Sequence, residues 1–421
     1  MTNRLSDYPC RILLLTTTRS YRGPAFLSAA EKLDIEIVQG INMPQELATE
    51  WSDGISLDFS RPEAALDMIT TYAQDNPLSA ILAIDDSGGI LAAKASAALN
   101  LPHNGTGAVE AASNKFRMRQ LLHEAGVPSP QSRRYNSDVD PQQITQETVF
   151  PCVVKPLTLN GSRGVIRANN PAELLAAINR TTRLIRSLQG DNGTPDFLVE
   201  TYIPGVEVAL EGLLENGRLR VLALFDKPDP LEGPFFEETI YVTPSRLPVE
   251  TQVQITETAA SAAAALGLRM GPIHAELRIN DQGACIVEIA GRSIGGLCSR
   301  TLQFGTGGSL EELILRQACR LEVGSVEQTE SARGVMMIPI PEPGLLRGVK
   351  GKDAAESISL VQQVEITAPI NYPLVPLPEG DGYLGFIFAS GQTAEEVENA
   401  LRLAHAELRF DVDPLLPMLT Q

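Results

Sequence analysis

The sequence predicts a multidomain chain of mixed α/β and α+β class, and three patterns carry that prediction. Strands alternate with helices over about the first hundred residues, as in a parallel α/β domain. Antiparallel-looking runs joined by short turns follow, and short strands punctuated by Pro and Gly close the chain. The length agrees: 421 residues exceed the roughly 100–200 typical of one domain, so two or three are expected.

"RILLLTTT" (11–18) reads as a buried strand, and "AFLSAAEKLDIEIV" as a helix leading into a second strand. "SAILAIDDSGGILAAKASAALNLP" repeats strand, glycine turn and Ala-rich helix, which implies a parallel sheet with ligands near the carboxyl ends of its strands. These elements make up an N-terminal unit, residues 1–110. "SNKFRMRQLLHEAGVPSP" (113–130) then opens a second unit, 111–329, with a helix capped by Ser or Asn and stopped at Gly-Val-Pro. In it "PCVVKPL" is a strand, "LNGSRGV" a glycine loop, and "VIRANNPAELLAAINRTTRLI" a strand and helix. "DFLVETYIPGVEVALEGLLENGRLRVLALFDK" alternates like antiparallel strands around the turn "ENGR". The helix "VETQVQITETAASAAAALGL" precedes a last hairpin, "GPIHAELRINDQGACIVEIAGR". From residue 330 to 421, "GVMMIPIPEPG", "QQVEITAP", "GYLGFIFASG" and the helix "TAEEVENALRLAHAEL" read as a separate, mostly β lobe.

Composition narrows the function. Hydrophobic residues make up 43% and charged residues 20%, a globular balance. A net charge of −18 repels nucleic acid and anionic lipid, so an anionic substrate needs a local cationic pocket. Cys10, Cys152, Cys285, Cys298 and Cys319 are odd in number and lack a CxxC pair, so buried thiols in a reducing compartment are expected. Neither a signal segment nor a membrane span of about 20 residues is evident, which makes a cytoplasmic protein the expectation.

The hairpin carries the sharpest chemical signal. Glu276 in "IHAELRI" and Glu288 in "CIVEIAG" flank its turn. An odd-numbered loop makes them direct partners on one face, whereas a four-residue loop sends them to opposite faces. Two opposed carboxylates need a cation between them, and Mg2+ is the natural one; the alternative is one glutamate in solvent and the other in a salt bridge. His274 shares the face of Glu276, either beside the reacting centre or as a core histidine bonded to backbone. Lys155 ends an apolar strand before "NGSRG", where Gly161, Ser162 and Gly164 suit either a phosphate-cradling loop or an ordinary turn. The Walker order GxxxxGK[ST] is absent. Read alone, Glu200 and Glu207 of "VETYIPGVEV" are surface glutamates.

Taken in order, Lys115, "VVKP", the glycine loop, "VETYIPGVE" and the paired glutamates resemble the ATP-grasp enzymes over roughly residues 10–325. The resemblance implies ATP and Mg2+, with Mn2+ as a substitute. It puts Lys115 and Lys155 on phosphates, with Ser162 donating to them. Adenine goes to Glu200 and the backbone through Ile203, the ribose hydroxyls to Glu207, the metal to Glu276 and Glu288, and a reaction intermediate to Arg292. Ala290 stands where many members have Asn, which leaves more of the metal shell to phosphate and water. Within the family, "FDKPDPLEGPFFEETIYVTPS" and "EIAGRSIGGLCSRTL" look most like the dipeptide-forming L-amino-acid ligases. That similarity gives Glu238 a substrate ammonium and puts Tyr241 in the same pocket, where His is frequent. Lys227 either reaches the γ-phosphate or a substrate carboxylate, or is a surface lysine. The implied activity joins amino acids or small carboxylic acids through an acyl phosphate, in a homodimer by analogy. The alternatives are a biotin-carboxylase-like enzyme, although no biotinyl Met-Lys-Met segment is present, and a non-catalytic nucleotide-binding module.

Overall fold

The structure, a computed structural model, describes residues 10–18, 20–44, 54–189, 193–305, 307–328 and 331–414. Its first sheet is parallel throughout, in the order β3-β2-β1-β4, from β1 (Arg11–Thr17), β2 (Glu36–Asn42), β3 (Ile55–Leu57) and β4 (Ala80–Ala83). Ile12 to Leu15 of β1 are fully buried, as the unbroken apolar run requires of a strand covered on both faces. The helices of this unit are α1 (Gly23–Leu33), α2 (Pro62–Asp75) and α3 (Asp86–Ala98). The "SGG" run does not form the turn expected of it: it lies in the first turn of α3. There Gly88 permits close packing, because an added Cβ would meet the Cβ of Leu15 at 3.1 Å.

After α4 (Thr106–Ser113), α5 (Lys115–Glu124) is capped by Asn114, whose side chain accepts from the Arg117 amide at 3.1 Å. A second sheet, antiparallel, has the order β5-β8-β6-β7, from β5 (Ser132–Asn136), β6 (Cys152–Pro156), β7 (Ile166–Ala168) and β8 (Asp196–Thr201). It packs on α6 (Pro141–Glu147) and α7 (Pro171–Gln189) through Ile144, Leu174 and Ile178.

The third sheet has eight strands in the order β13-β12-β9-β10-β11-β14-β18-β16. Its larger part comprises β9 (Val206–Glu215), β10 (Arg218–Asp226), β11 (Ile240–Thr243), β12 (Gly271–Asn280) and β13 (Gly283–Ala290). Asn216 and Gly217, both at positive φ, turn β9 into β10, as "ENGR" predicts. One core lies where α5 and α8 (Val249–Leu266) cover this part, with Met118, Ile255, Ile273 and Ile286 inside. The C-terminal stretch, which follows α9 (Leu310–Ala318), is not detached from the rest. Its β14 (Ala332–Ile338) pairs with β11 and leads to β18 (Gly385–Gly391) and β16 (Val361–Ile366), with α11 (Ala394–Glu407) packed on β14 and β18. A small third-lobe sheet, β17 (Pro373–Leu374), β15 (Gly344–Lys350) and β19 (Arg409–Asp413), completes the chain beside the short α10 (Lys352–Glu356).

The β12–β13 hairpin settles the parity question by an unexpected route. Asn280 pairs with Gly283, so the loop has two residues, and by that count Glu276 and Glu288 should not be partners. Yet they pair directly, because Leu277 pairs with Ile286 and Val287 is the extra residue of a β-bulge.

The cysteine expectation fails for two residues: Cys10 and Cys319 form a disulfide across 309 residues, with Cα atoms 6.1 Å apart. The fold brings the start of β1 against the end of α9, and nothing local in the sequence signals it. Cys152 and Cys298 are buried free thiols and Cys285 is half-buried. Among the described residues no helix is long and apolar enough to cross a membrane.

Candidate active site

A cavity of about 230 Å3 opens where the second and third sheets face the N-terminal unit. Strand alternation builds its floor. Glu207 and Glu211 of β9 pair directly with Arg278 and His274 of β12, and Glu276 lies between them facing Glu288 of β13.

One end is cationic. Lys115, the first residue of α5, donates from Nζ to the Leu159 carbonyl at 2.8 Å and to Glu288 Oε1 at 3.1 Å. Lys155 sits 3.0 Å from Glu200 Oε2, and Arg119 donates from Nε to Glu200 Oε1 at 2.8 Å. Arg119 also takes the Val287 carbonyl, at 2.6 Å, in the bulge. Burial pushes the Glu200 carboxyl up, but Arg119 and Lys155 outweigh burial and hold it at about 2. The Glu200 carboxylate is therefore spent on these two cations and does not line the cavity.

The glycine loop closes over this end. Gly161, Ser162 and Gly164 all have positive φ, and Ser162 adopts 55° despite its Cβ, at a cost of about 1–3 kcal/mol. At Gly164 a Cβ would lie 2.7 Å from Pro156 Cγ, so glycine is required twice over, for φ and for space.

The other end is acidic. Lys227 is only 7% exposed, so it is not the surface lysine that was one alternative. Its ammonium is 2.9 Å from Glu207, 2.5 Å from Glu238 and 3.1 Å from Glu276, and its Nζ lies 5.0 Å from the centre of the Tyr241 ring. Burial alone would lower its pKa, but the three carboxylates raise it well above the usual value, so it stays charged. Burial and the neighbouring Glu276 push Glu238 up to about 7 against the pull of Lys227. Glu276 is held well below the ordinary range: burial opposes this, and Lys227 and His274 overcome it. Tyr241 donates its hydroxyl to Glu238 at 2.7 Å. His274 is bonded to a carboxylate rather than to backbone. Its Nδ1 is 3.2 Å from Glu211 and its Nε2 3.7 Å from Glu276, and these partners outweigh burial to bring it to about 9. Arg278 donates to Glu207 at 2.9 Å and to the Ile203 carbonyl at 3.0 Å.

Between the ends, Arg292 donates from Nε to Asp86 Oδ2 at 2.7 Å. Burial would lower its pKa, and Asp86 more than offsets that. Tyr21, Met337, Cys298 and Tyr383 supply an apolar wall near Glu238. Oxygens of Glu207, Glu238 and Glu276 lie within 4.8 Å of one another. Glu276 and Glu288, though direct partners, are each bonded to an ammonium, Lys227 and Lys115 respectively. The pair fits a hard divalent cation: both donors are carboxylate oxygens on one face, and each now holds a positive group that another cation can replace.

Three family models match the chain in series. They are an ATP-grasp N-terminal domain over residues 27–103, an ATP-grasp domain over 148–301 and an L-amino acid ligase C-terminal domain over 336–413. The chain belongs to the ATP-grasp superfamily. Among ATP-grasp relatives it is 28% identical to alanine–anticapsin ligase of Bacillus subtilis, over 54% of this chain and 51% of that protein. It is also 28% identical to D-alanine–D-alanine ligase of Aromatoleum aromaticum, over 44% of this chain and 58% of that one. The matched stretch is thus a little over half the length of these two ligases. The crystal structure of an L-amino acid ligase from Bacillus licheniformis superposes with a TM-score of 0.78 at 24% identity, covering 97% of this chain and all of that one. It shares the ATP-grasp fold.

Of the residues singled out in the sequence, Lys115, Lys155, Gly161, Ser162, Ile203, Glu207, Glu238, Tyr241, His274, Glu276, Glu288 and Arg292 line this one ATP-grasp cavity. Lys227, Gly164 and Glu200 stand just behind its wall. Sequence reasoning missed Arg278, which alternation after His274 and Glu276 signals. It also missed Asp86, Asp381 and Tyr383, which come from the first and last units and carry no local mark.

Proposed function

We propose that the chain is an ATP-dependent ligase that joins a carboxylate to an amine, with amino acids or similar small acids as substrates and ADP and phosphate as products. The observation that carries this reading is the sign of charge along one cavity: lysines and the glycine loop at one end, carboxylates beside an apolar wall at the other, and Arg292 between them. Lys115 and Lys155 neutralise the phosphates of ATP, and the loop amides and Ser162 add donors. Arg278 holds both Glu207 and the Ile203 carbonyl, and so sets the edge where ribose and adenine bind. Glu276 and Glu288 are the residues to hold Mg2+ or Mn2+, which when bound neutralises charge on the transferring phosphoryl group.

A carboxylate is a poor electrophile, and transfer of the γ-phosphoryl group turns it into an acyl phosphate. Glu238, with Tyr241 on its oxygen, takes the substrate ammonium. Arg292 faces the carbonyl and stabilises the negative charge that develops on attack by the amine. Lys227, held at the acid cluster, moves toward the phosphates when ligands replace it there. The glycine loop excludes water, to which acyl phosphates are labile. The supply of ATP and amino acids puts the reaction in the cytoplasm, and a homodimer follows by analogy alone.

The test is ADP and phosphate release with ATP and Mg2+ over amino acids singly and in pairs, with mass detection of products. Pair-dependent release with a new amide, falling about 100-fold or more in Glu288→Gln, is the expected result. Release that needs bicarbonate instead, or ATP binding without turnover, overturns the assignment.

A further inference from the structure

Arg292 is anchored outside its own loop by a residue that also reaches the glycine loop. Asp86 is the first residue of α3, at the carboxyl end of β4, where a carboxylate is favoured by the helix dipole. Its Oδ2 accepts from Arg292 Nε at 2.7 Å and from Asn160 Nδ2 at 2.8 Å. One oxygen therefore serves the first unit, the loop and the arginine together. The Arg292 and Asp86 side chains are 19% and 22% exposed, which shields their ion pair more than a surface pair. The loop is also tied to the C-terminal stretch, by Arg163 on the Glu379 carbonyl and by the Gly164 amide on the Pro378 carbonyl, each at 2.7 Å. Raising the loop withdraws Asn160 and leaves the Asp86 carboxylate with one partner fewer to fix its rotamer.

We infer that Asp86 is a positioning residue that couples the glycine loop to Arg292. With the loop down, Asn160 fixes the carboxylate that aims the guanidinium; with the loop raised, the Asp86–Arg292 pair keeps its bond but is freer to turn. The consequence for the reaction rests on the ligase reading: the arginine is in place only while the site is closed, so the acyl phosphate meets the amine and not water.

Hydrogen exchange of the full chain without ligands tests the coupling itself. Asp86→Ala is expected to speed exchange in both 157–165 and 291–296. Asn160→Ala, an exposed change, should speed exchange in 291–296 by about three- to tenfold, the scale of one lost hydrogen bond. If Asn160→Ala leaves 291–296 unchanged, the coupling is overturned, whatever reaction the protein performs. In turnover, both variants should form more than one ADP per amide, and the double variant should be no worse than Asp86→Ala alone. A purely structural role would lower the melting temperature and both products together, with the ratio unmoved, and would refute the inference. Absence of amide from the wild type condemns the ligase reading instead and leaves the exchange result standing.

Discussion

The two ends of the cavity hold the same ions in opposite proportion. At one, a single carboxylate, Glu200, is shared by two cations, Arg119 and Lys155; at the other, a single ammonium, Lys227, is shared by three carboxylates. Arg119, Lys155, Glu200 and Lys227 are buried and the three carboxylates around Lys227 half-buried, so water relieves neither imbalance fully. The first end is left with positive charge; at the second, Arg278 on Glu207 and His274 on Glu276 offset part of the carboxylates' negative charge. A ligand with an anionic tail and a cationic head can therefore settle in one direction only.

Removing the minority ion should hurt most where it serves most partners. Lys227→Met leaves Glu238 without its cation and takes one partner each from Glu207 and Glu276, which keep Arg278 and His274, and unfolding free energy at pH 7 should fall by about 3–5 kcal/mol in denaturant titrations. A fall below about 1 kcal/mol would mean that Lys227 is not what balances them.

Glu200→Gln is the matching change at the cationic end. The folded carboxyl titrates at about 2 against an ordinary 4.5, so it contributes stability above pH 4.5 that is lost as pH falls toward 2. The expected deficit is on the order of 3 kcal/mol at pH 7 and shrinks below pH 4.5. A deficit that stays constant from pH 7 to pH 3 would show that the charge of Glu200 is not what matters.

The smallest effect sharpens the contrast. Tyr241→Phe removes one hydrogen bond from Glu238 and should cost about 0.5–1.5 kcal/mol. In the ligase reading that cost appears as a higher KM for the amino acid bound at Glu238, with the KM for ATP unchanged. Equal changes in both would mean that the two ends are not separate.

Much of this was legible in the sequence, for reasons particular residues make clear. Period-two alternation shows that His274, Glu276 and Arg278 share a face, and Asn-Gly dictates the β9–β10 turn. Apolar runs give the parallel sheet and the strand that bears Lys155. Alternation cannot say which face looks into the cavity, and it gives no sign that Glu200 pairs with Arg119 and Lys155. Contacts between distant segments leave no periodic trace: Asp86 with Asn160 and Arg292, Cys10 with Cys319, and the pairing of β14 with β11.

The bulge at Val287 also limits how this hairpin can change. Its two-residue turn and its one extra residue form a matched set: the turn alone would point Glu288 to the opposite face, and the bulge turns it back. Deleting Val287 or adding one residue to the turn would invert the phase of everything beyond it while leaving the strands paired. Single-residue length changes here should thus be accepted only in compensating pairs. A sequence aligner that places one gap in this hairpin without its companion will mistake an inward carboxylate for an outward one.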